Sequence, residues 1–315
     1  MQEKIEILLA TYNGERYIRE QLDSILKQDY ENWLIRACDD ASTDHTYEIL
    51  TEYKEKFPNR FLITKNEKRF GSAKLNFFSL IRQSSADYVM CCDQDDVWLP
   101  NKISLTMKEM KRQEAGSCSA WQKSEIPILV HTDLKVVDAD LQVVSESFFE
   151  HSNLRKEFGY KDVLIQNHVT GCTMMMNKAL VTLINLENEY ENILMHDWLA
   201  AIVGVGLGKV AFVDQPTMLY RQHAVNSVGA KKYGLALLIF KLKNNSIRKS
   251  LVDTTKQAEE IAKTYQDELP RDLYQLTNRY ARIYGKGKFY RMGFYVKNRI
   301  WKKGLPRQIW QLILG

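Results

Sequence analysis

The chain has no Cys-x-x-Cys pair among its five cysteines, Cys38, Cys91, Cys92, Cys118 and Cys172. That pattern suits neither a zinc ribbon nor a dithiol redox site. Three of the five fall in apolar segments, as buried thiols of a reducing cytoplasm do. A long apolar run is also missing. Leu235 to Phe240, the longest near the C-terminus, is far short of the roughly 20 residues that a membrane-spanning helix needs. The opening residues Met1 to Ile5 lack the basic start and apolar core of a secretory signal, so a cytoplasmic protein is expected. After the first predicted strand only Gly14 stands where a dinucleotide fold wants Gly-x-Gly-x-x-Gly, which argues against a nicotinamide or flavin cofactor. The glycines of Gly204 to Gly208 follow a helical stretch and read as a helix stop and turn. Acidic residues run out after Asp272.

What is present is a globular composition. In 315 residues, 45% hydrophobic, there is material for one large α/β domain and an appendage. The net charge of +5 conceals an asymmetry. Residues 229–315 carry 19 Lys and Arg against 6 Asp and Glu, whereas residues 1–228 carry 25 against 33. Opposite charges on two parts imply two jobs and divide the chain into 1–228 and 229–315.

Lys4–Ala10 reads as a first strand, and Thr11-Tyr12-Asn13-Gly14 as a turn opening a helix over about 15–28. Trp33–Cys38 is a second strand that stops at Asp39 and Asp40. Ser42 or Thr43 is placed to cap a helix reaching about Lys56. A strand over 61–65, a helix over 72–83 and a strand over Tyr88–Cys92 follow. Strands alternating with helices of this length predict right-handed βαβ units and a parallel sheet. Ligands bind such sheets at the carboxyl ends of the strands. Thr11 to Asn13, Asp39, Asp40 and Asp93 to Asp96 should therefore gather at one edge.

The strand over Tyr88–Cys92 ends in Asp93, Gln94, Asp95 and Asp96. Three carboxylates in four residues repel one another and call for a cation; hard oxygen donors on a short loop suit Mg²⁺ or Mn²⁺. Without the sheet context, the same acids read as a solvated turn before Pro100. Asp39 or Asp40 is placed to accept the imide N–H of a pyrimidine, and Thr11 and Asn13 to contact base and ribose. Arg69 and Lys74 are candidates for base or phosphate contact. Asn192–Val203 reads as a helix with an apolar face, carrying Asp197 in its first turns between His196 and Trp198. Partial desolvation there raises the carboxylate's proton affinity toward what a general base needs. A helix N-terminal acid favoured by the dipole is the alternative. A strand over Lys209–Val213, a turn at Pro216 and the polar run Tyr220 to Ser227, with Arg221 and His223, come next.

Five of these pieces, Ala10–Gly14, Asp39–Asp44, Asp93–Trp98, Gly171–Met174 and Met195–Trp198, resemble the inverting glycosyltransferases of family 2, which have the GT-A fold. The likeness spans residues 5 to about 228. Asp93–Trp98 with the later His196-Asp197-Trp198 is most similar to the rhamnosyltransferase-like branch that builds bacterial cell-wall and capsular polysaccharides. The resemblance implies that Thr11, Asp39 and Asp40 hold the nucleotide, and that Tyr12, Asn13, Arg69, Lys74, Gln94, Asp96, Trp198 and Arg221 add nucleotide-sugar contacts. It places Asp93 by the donor ribose or sugar, Asp95 on a metal that His223 helps to hold, and Asp197 as catalytic base. The implied reaction is a single inverting displacement from dTDP-rhamnose, with a UDP-sugar as the alternative donor, onto a lipid-linked saccharide. Two rival classes fit in part. A haloacid-dehalogenase-type phosphatase would use Asp93 as nucleophile, although its motif belongs at the first strand. A non-catalytic subunit would bind the nucleotide-sugar without transferring it.

From Tyr233 the chain reads as helices over about 233–244, 249–267, 270–284 and 287–302, with a short last one ending near Leu314. On the fourth, Lys288, Arg291, Arg299 and Lys302 share one arc and Phe289, Met292, Val296 and Ile300 the next, interrupted by Lys297. With Tyr290, Tyr295, Trp301 and Trp310 this suits a helix lying on an anionic bilayer. A peripheral protein on the inner face of the plasma membrane is expected. The alternative is docking onto the catalytic domain or a partner subunit, as in a homo-oligomer. No recognised nucleic-acid module accompanies the basic residues, so nucleic acid is not expected as a partner.

Overall fold

The structure, a computed structural model, describes residues 3–116, 126–186, 191–223 and 246–315. Four strands, β1 (Ile5–Thr11), β2 (Trp33–Asp39), β3 (Phe61–Lys65) and β4 (Tyr88–Cys92), form its parallel half. β1 pairs with both β2 and β4, and β2 with β3. They are joined by α1 (Ile18–Leu26), α2 (Thr46–Lys56) and α3 (Ala73–Gln83). Successive side chains of β1 point to opposite faces and serve two cores. Leu8 packs with Phe77 and Phe78 of α3, whereas Ile5, Ile7 and Leu9 pack with Ile18, Leu22 and Ile25 of α1. This is why the strand is apolar throughout rather than alternating.

Past β4 the sheet becomes mixed. β8 (Met174–Asn177) runs antiparallel between β4 and β6 (Ile128–Val137), and β9 (Lys209–Arg221) runs parallel to β6. β5 (Val97–Trp98) closes the order β3-β2-β1-β4-β8-β6-β9-β5, and β7 (Val143–Ser145) pairs with β6. The helices of this half are α4 (Lys102–Ala115), α5 (Phe148–Ser152), α6 (Tyr160–Val163), α7 (Lys178–Ile184) and α8 (His196–Leu207). The α/β class and the parallel βαβ start are as expected.

Several boundaries differ. α2 starts at Thr46, and the oxygens at its start belong to Asp44, which accepts from the Thr46 N–H and hydroxyl at 3.0 and 2.5 Å, while Ser42 turns to Asp39. α8 starts at His196 rather than Asn192 and continues through Gly204 and Gly206 to stop at Gly208. These two glycines permit close packing instead of ending the helix. A Cβ at Gly204 would lie 3.0 Å from Val210 Cγ2, and one at Gly206 3.0 Å from both Leu269 Cδ2 and Tyr160 Cε2. Pro216 does not turn the chain; it lies within β9, at a register irregularity against Thr132 and Asp133. Strand prolines are confined to such bulges and to edges because they cannot donate to the ladder.

The described C-terminal helices are Ser246–Thr264, Arg271–Ala281, Lys288–Asn298 and Leu305–Leu314. The expected helix over 233–244, the boundary at 228, Cys118 and Ala224–Ser227 lie outside the described residues. Leu251, Ile261, Tyr265, Tyr280, Phe294 and Tyr295 share one hydrophobic core with Phe77, Val163 and Leu199. Lys288–Asn298 is shorter than expected, because Arg299 takes a left-handed conformation (φ 55°) and Ile300 turns inward, fully buried. The helix docks through Phe294 and Tyr295, leaving Phe289 (88% exposed), Tyr290 and Val296 outward. No described helix is long and apolar enough to cross a membrane.

Candidate active site

The carboxyl ends of β1, β2 and β4 meet as expected, and side-chain hydrogen bonds knit them together. Asp39, fully buried, accepts from the Thr11 hydroxyl at 3.1 Å and from the Ser42 N–H at 2.9 Å. These bonds hold the β2–α2 turn in which Ala41 takes a left-handed φ of 57°, a conformation that costs a non-glycine residue energy and persists only when its surroundings impose it. Asp40 accepts from Asn66 Nδ2, from Phe70 N–H and from Gly71 N–H at 2.9, 2.7 and 3.1 Å, shaping the loop after β3. Asn13, also left-handed, accepts the Thr43 N–H at 2.9 Å. Arg69 lies over the Tyr12 ring with its guanidinium carbon 3.7 Å from the centroid, so two expected donor contacts form a cation–π pair.

The loop after β4 is the acidic centre. Asp93, Asp96 and Cys172 bring one ligating atom each to within 4.8 Å of one another. Burial pushes the Asp93 carboxyl up to about 7, helped by the charges of Asp95 and Asp197. Asp95 Oδ2 lies 2.7 Å from His223 Nε2, within hydrogen-bond distance, and the His223 ring packs on Tyr17 with centroids 4.9 Å apart. The two expected metal ligands, 128 residues apart in sequence, are thus adjacent. Asp96 is fully buried; one oxygen accepts the Arg221 N–H at 3.0 Å and the other has no hydrogen-bond partner among the described residues. Arg221 is buried too, donating to the carbonyls of Asp95 (2.9 Å) and Ala139 (2.7 Å) and to the Glu20 carboxylate. Both residues hold the acidic loop onto β9.

Behind that loop lies Lys102, which nothing in its local pattern distinguishes from a surface lysine. It is fully buried, its Nζ 3.3 Å from Thr217 Oγ1 and 4.8 Å above the Trp98 ring, and burial brings its pKa down to about 8 despite the neighbouring Asp96.

Asp197 lies in the first turn of α8. Its Oδ1 accepts from Asn167 Nδ2 at 3.0 Å and its Oδ2 from the Gly171 N–H at 2.9 Å. Burial raises its pKa to about 7, and the hydrogen bonds from the Trp198 and Gly171 backbone and from Asn167 oppose the rise. Gly171 and Cys172 are adjacent, so one turn touches the base candidate with its N–H and the acidic loop with its thiol. Trp198 anchors α8 through Nε1 to Val163 O at 2.6 Å. Lys74 donates to Ile193 O at 2.6 Å, bracing the segment before α8. His196 is buried against Phe77, ring centroids 4.1 Å apart, with its pKa pushed down to about 3 by burial. The sequence reading missed Asn167, Lys102, Tyr17 and Glu20, which lie in no motif and act only through contacts across the fold.

The fit to a divalent cation rests on the donor set. Asp93, Asp95 and Asp96 offer hard oxygens, one buried Asp96 oxygen has no partner among the described residues, and His223 adds a nitrogen beside Asp95. Such a set suits Mg²⁺ or Mn²⁺.

Residues 6–183 match the family model described as glycosyl transferase family 2. The dTDP-rhamnosyl transferase RfbG of Shigella flexneri is 32% identical over 232 residues, 70% of this chain and 74% of that protein. An Escherichia coli protein named UDP-Glc:alpha-D-GlcNAc-diphosphoundecaprenol beta-1,3-glucosyltransferase WfgD is 31% identical over 106 residues, 34% of this chain and 40% of that protein. Among solved structures, the UDP complex of Staphylococcus aureus TarS residues 1–349 aligns over 93% of this chain and 75% of that one, at 17% identity and a TM-score of 0.57. The Pyrobaculum calidifontis mannosyltransferase PcManGT, solved with GDP-Man and Mn²⁺, aligns over 98% and 79% at 13% identity and a TM-score of 0.52. The chain belongs to glycosyltransferase family 2, and it is a glycosyltransferase of the GT-A fold.

Proposed function

We propose that this glycosyltransferase moves L-rhamnose from dTDP-rhamnose onto a lipid-linked glycan with inversion at the anomeric carbon, in cell-surface polysaccharide synthesis. One observation carries the reading: Gly171 and Cys172 place a buried, weakly acidic Asp197 beside the acidic loop at the end of β4. An inverting displacement needs that pairing, a base for the acceptor hydroxyl across from a site that holds the donor diphosphate. In this reading Thr11, Tyr12, Asn13, Asp39, Asp40, Arg69 and Lys74 form and line the nucleotide pocket. Asp95, with His223 and Asp93, would hold Mg²⁺ or Mn²⁺, which when bound offsets charge on the leaving diphosphate. Asp197 takes the hydroxyl proton as that oxygen attacks, and no covalent enzyme intermediate is needed. The rhamnose assignment is supported by the relative named as a dTDP-rhamnosyl transferase, and the lipid-linked acceptor by the relative named for a diphosphoundecaprenol substrate.

The exposed apolar and basic residues of the C-terminal helices support a place against the inner membrane face. Phe289, Tyr290, Val296, Leu305, Ile309 and Ile313 are all exposed in a region without an acidic residue. Calorimetric titration with dTDP-rhamnose, UDP-glucose and UDP-N-acetylglucosamine, each with and without Mg²⁺, tests the donor. Metal-dependent binding of dTDP-rhamnose alone is expected; a preference for either UDP-sugar would discard rhamnose.

A further inference from the structure

Asn167 lies in the loop after α6, far in sequence from every motif of the site. Its amide orientation is fixed: Oδ1 accepts the Val169 N–H at 3.0 Å, so Nδ2 is the group that faces Asp197 Oδ1, also at 3.0 Å. The Gly171 N–H takes the second carboxylate oxygen at 2.9 Å. Each oxygen therefore holds one hydrogen bond from outside α8, in addition to those from the Trp198 and Asp197 backbone of the helix itself. The loop that carries Asn167 is itself pinned by the C-terminal region. Gln166 Oε1 accepts the Lys303 N–H at 2.9 Å, and Lys303 Nζ donates to Leu154 O at 2.5 Å.

We propose that Asn167 is a positioning residue for the general base, holding the Asp197 carboxylate in its ionised, reaction-ready orientation through a single N–H···O bond. The proposal rests on the reading of Asp197 as that base. A donor to a carboxylate favours the charged form. Here it works against burial, while the buried Cys91 thiol and the neutral His196 ring beside it contribute no cation. Without Asn167, Asp197 would hold its proton to higher pH and lose the one side-chain bond that fixes its Oδ1.

The test uses the full chain with Asn167→Ala and Asn167→Asp, the second keeping the acceptor for the Val169 N–H should the first fail to fold. A hydrogen bond to a charged group corresponds to roughly ten- to a hundredfold in rate and about one pH unit in the acid limb. The expected result is a fall of that order in kcat near pH 7 and an acid limb moved to higher pH, partly recovered at pH 9, with donor affinity unchanged by calorimetry. A lower kcat with an unmoved limb, or a matching loss of donor affinity, overturns the proposal. Asp197→Asn separates the two ideas. If it still transfers sugar, the base reading falls; if it is inactive while both Asn167 variants behave as wild type, only the positioning role falls.

Discussion

Gln94 grips Tyr12 by its backbone: its Oε1 accepts the Tyr12 N–H at 2.8 Å and its Nε2 donates to the Tyr12 carbonyl at 2.9 Å. The amide side chain stands where a neighbouring strand would and ties the end of β1 to the acidic loop 82 residues later. Gly14 is part of the same fit, since a Cβ there would lie 2.3 Å from Gln94 Oε1.

From that clamp follows a binding prediction. Gln94→Ala removes two hydrogen bonds worth about 1 kcal/mol each, so donor Kd should rise about ten- to thirtyfold by calorimetry while kcat at saturation changes little. Gly14→Ala should act in the same direction by displacing Gln94. Unchanged donor affinity in both would show that the clamp does not shape the pocket.

The proposed role of Asp197 as base carries a pH prediction. A base must be unprotonated to act, and burial holds this carboxyl at about 7, so kcat should rise with pH through about 7 and level off above it. Asp197→Asn should lower kcat by about two to four orders of magnitude and abolish the acid limb, with donor binding retained. A rate independent of pH between 5.5 and 8.5 would exclude the assignment.

The pairing of Asp95 with His223 gives a metal prediction. His223→Ala should raise the Mg²⁺ or Mn²⁺ concentration for half-maximal activity several-fold, and Asp95→Ala by far more, because it removes an anionic oxygen as well as its partner. Activity should vanish with a chelator and return on re-addition of metal. Equal metal requirements in both variants and wild type would move the site to Asp93 and Asp96.

Vesicle sedimentation addresses the C-terminal helices. At about 1 kcal/mol per basic residue near an anionic surface, the protein should pellet with anionic vesicles at low salt, remain free with zwitterionic ones, and be released as ionic strength rises. Phe289→Ser with Val296→Ser should weaken binding at low salt without changing donor affinity, since both side chains point away from the core. Binding indifferent to lipid charge and salt would point to a protein partner for this face.

Local chemistry in the sequence determined the parallel half of the sheet, its three crossover helices and the edge at which Thr11, Asp39, Asp40 and Asp93 to Asp96 gather. Unbroken apolar strands ended by polar residues leave little choice of period or binding edge. For Asp197 local chemistry left two readings open, a desolvated base and a helix N-terminal acid, and the family resemblance favoured the first. The tertiary structure alone decided the rest. Pairing across 128 residues brought His223 to Asp95, and pairing across 30 brought Asn167 to Asp197. Asp96 and Arg221 were turned inward, where they hold the acidic loop onto β9, and Lys102 was buried behind it. The glycines of α8 became packing sites because Val210, Tyr160 and Leu269 approach too closely for a side chain. Hydrogen bonds and close contacts of this kind depend on where distant segments meet, and neither periodicity nor motif carries that information.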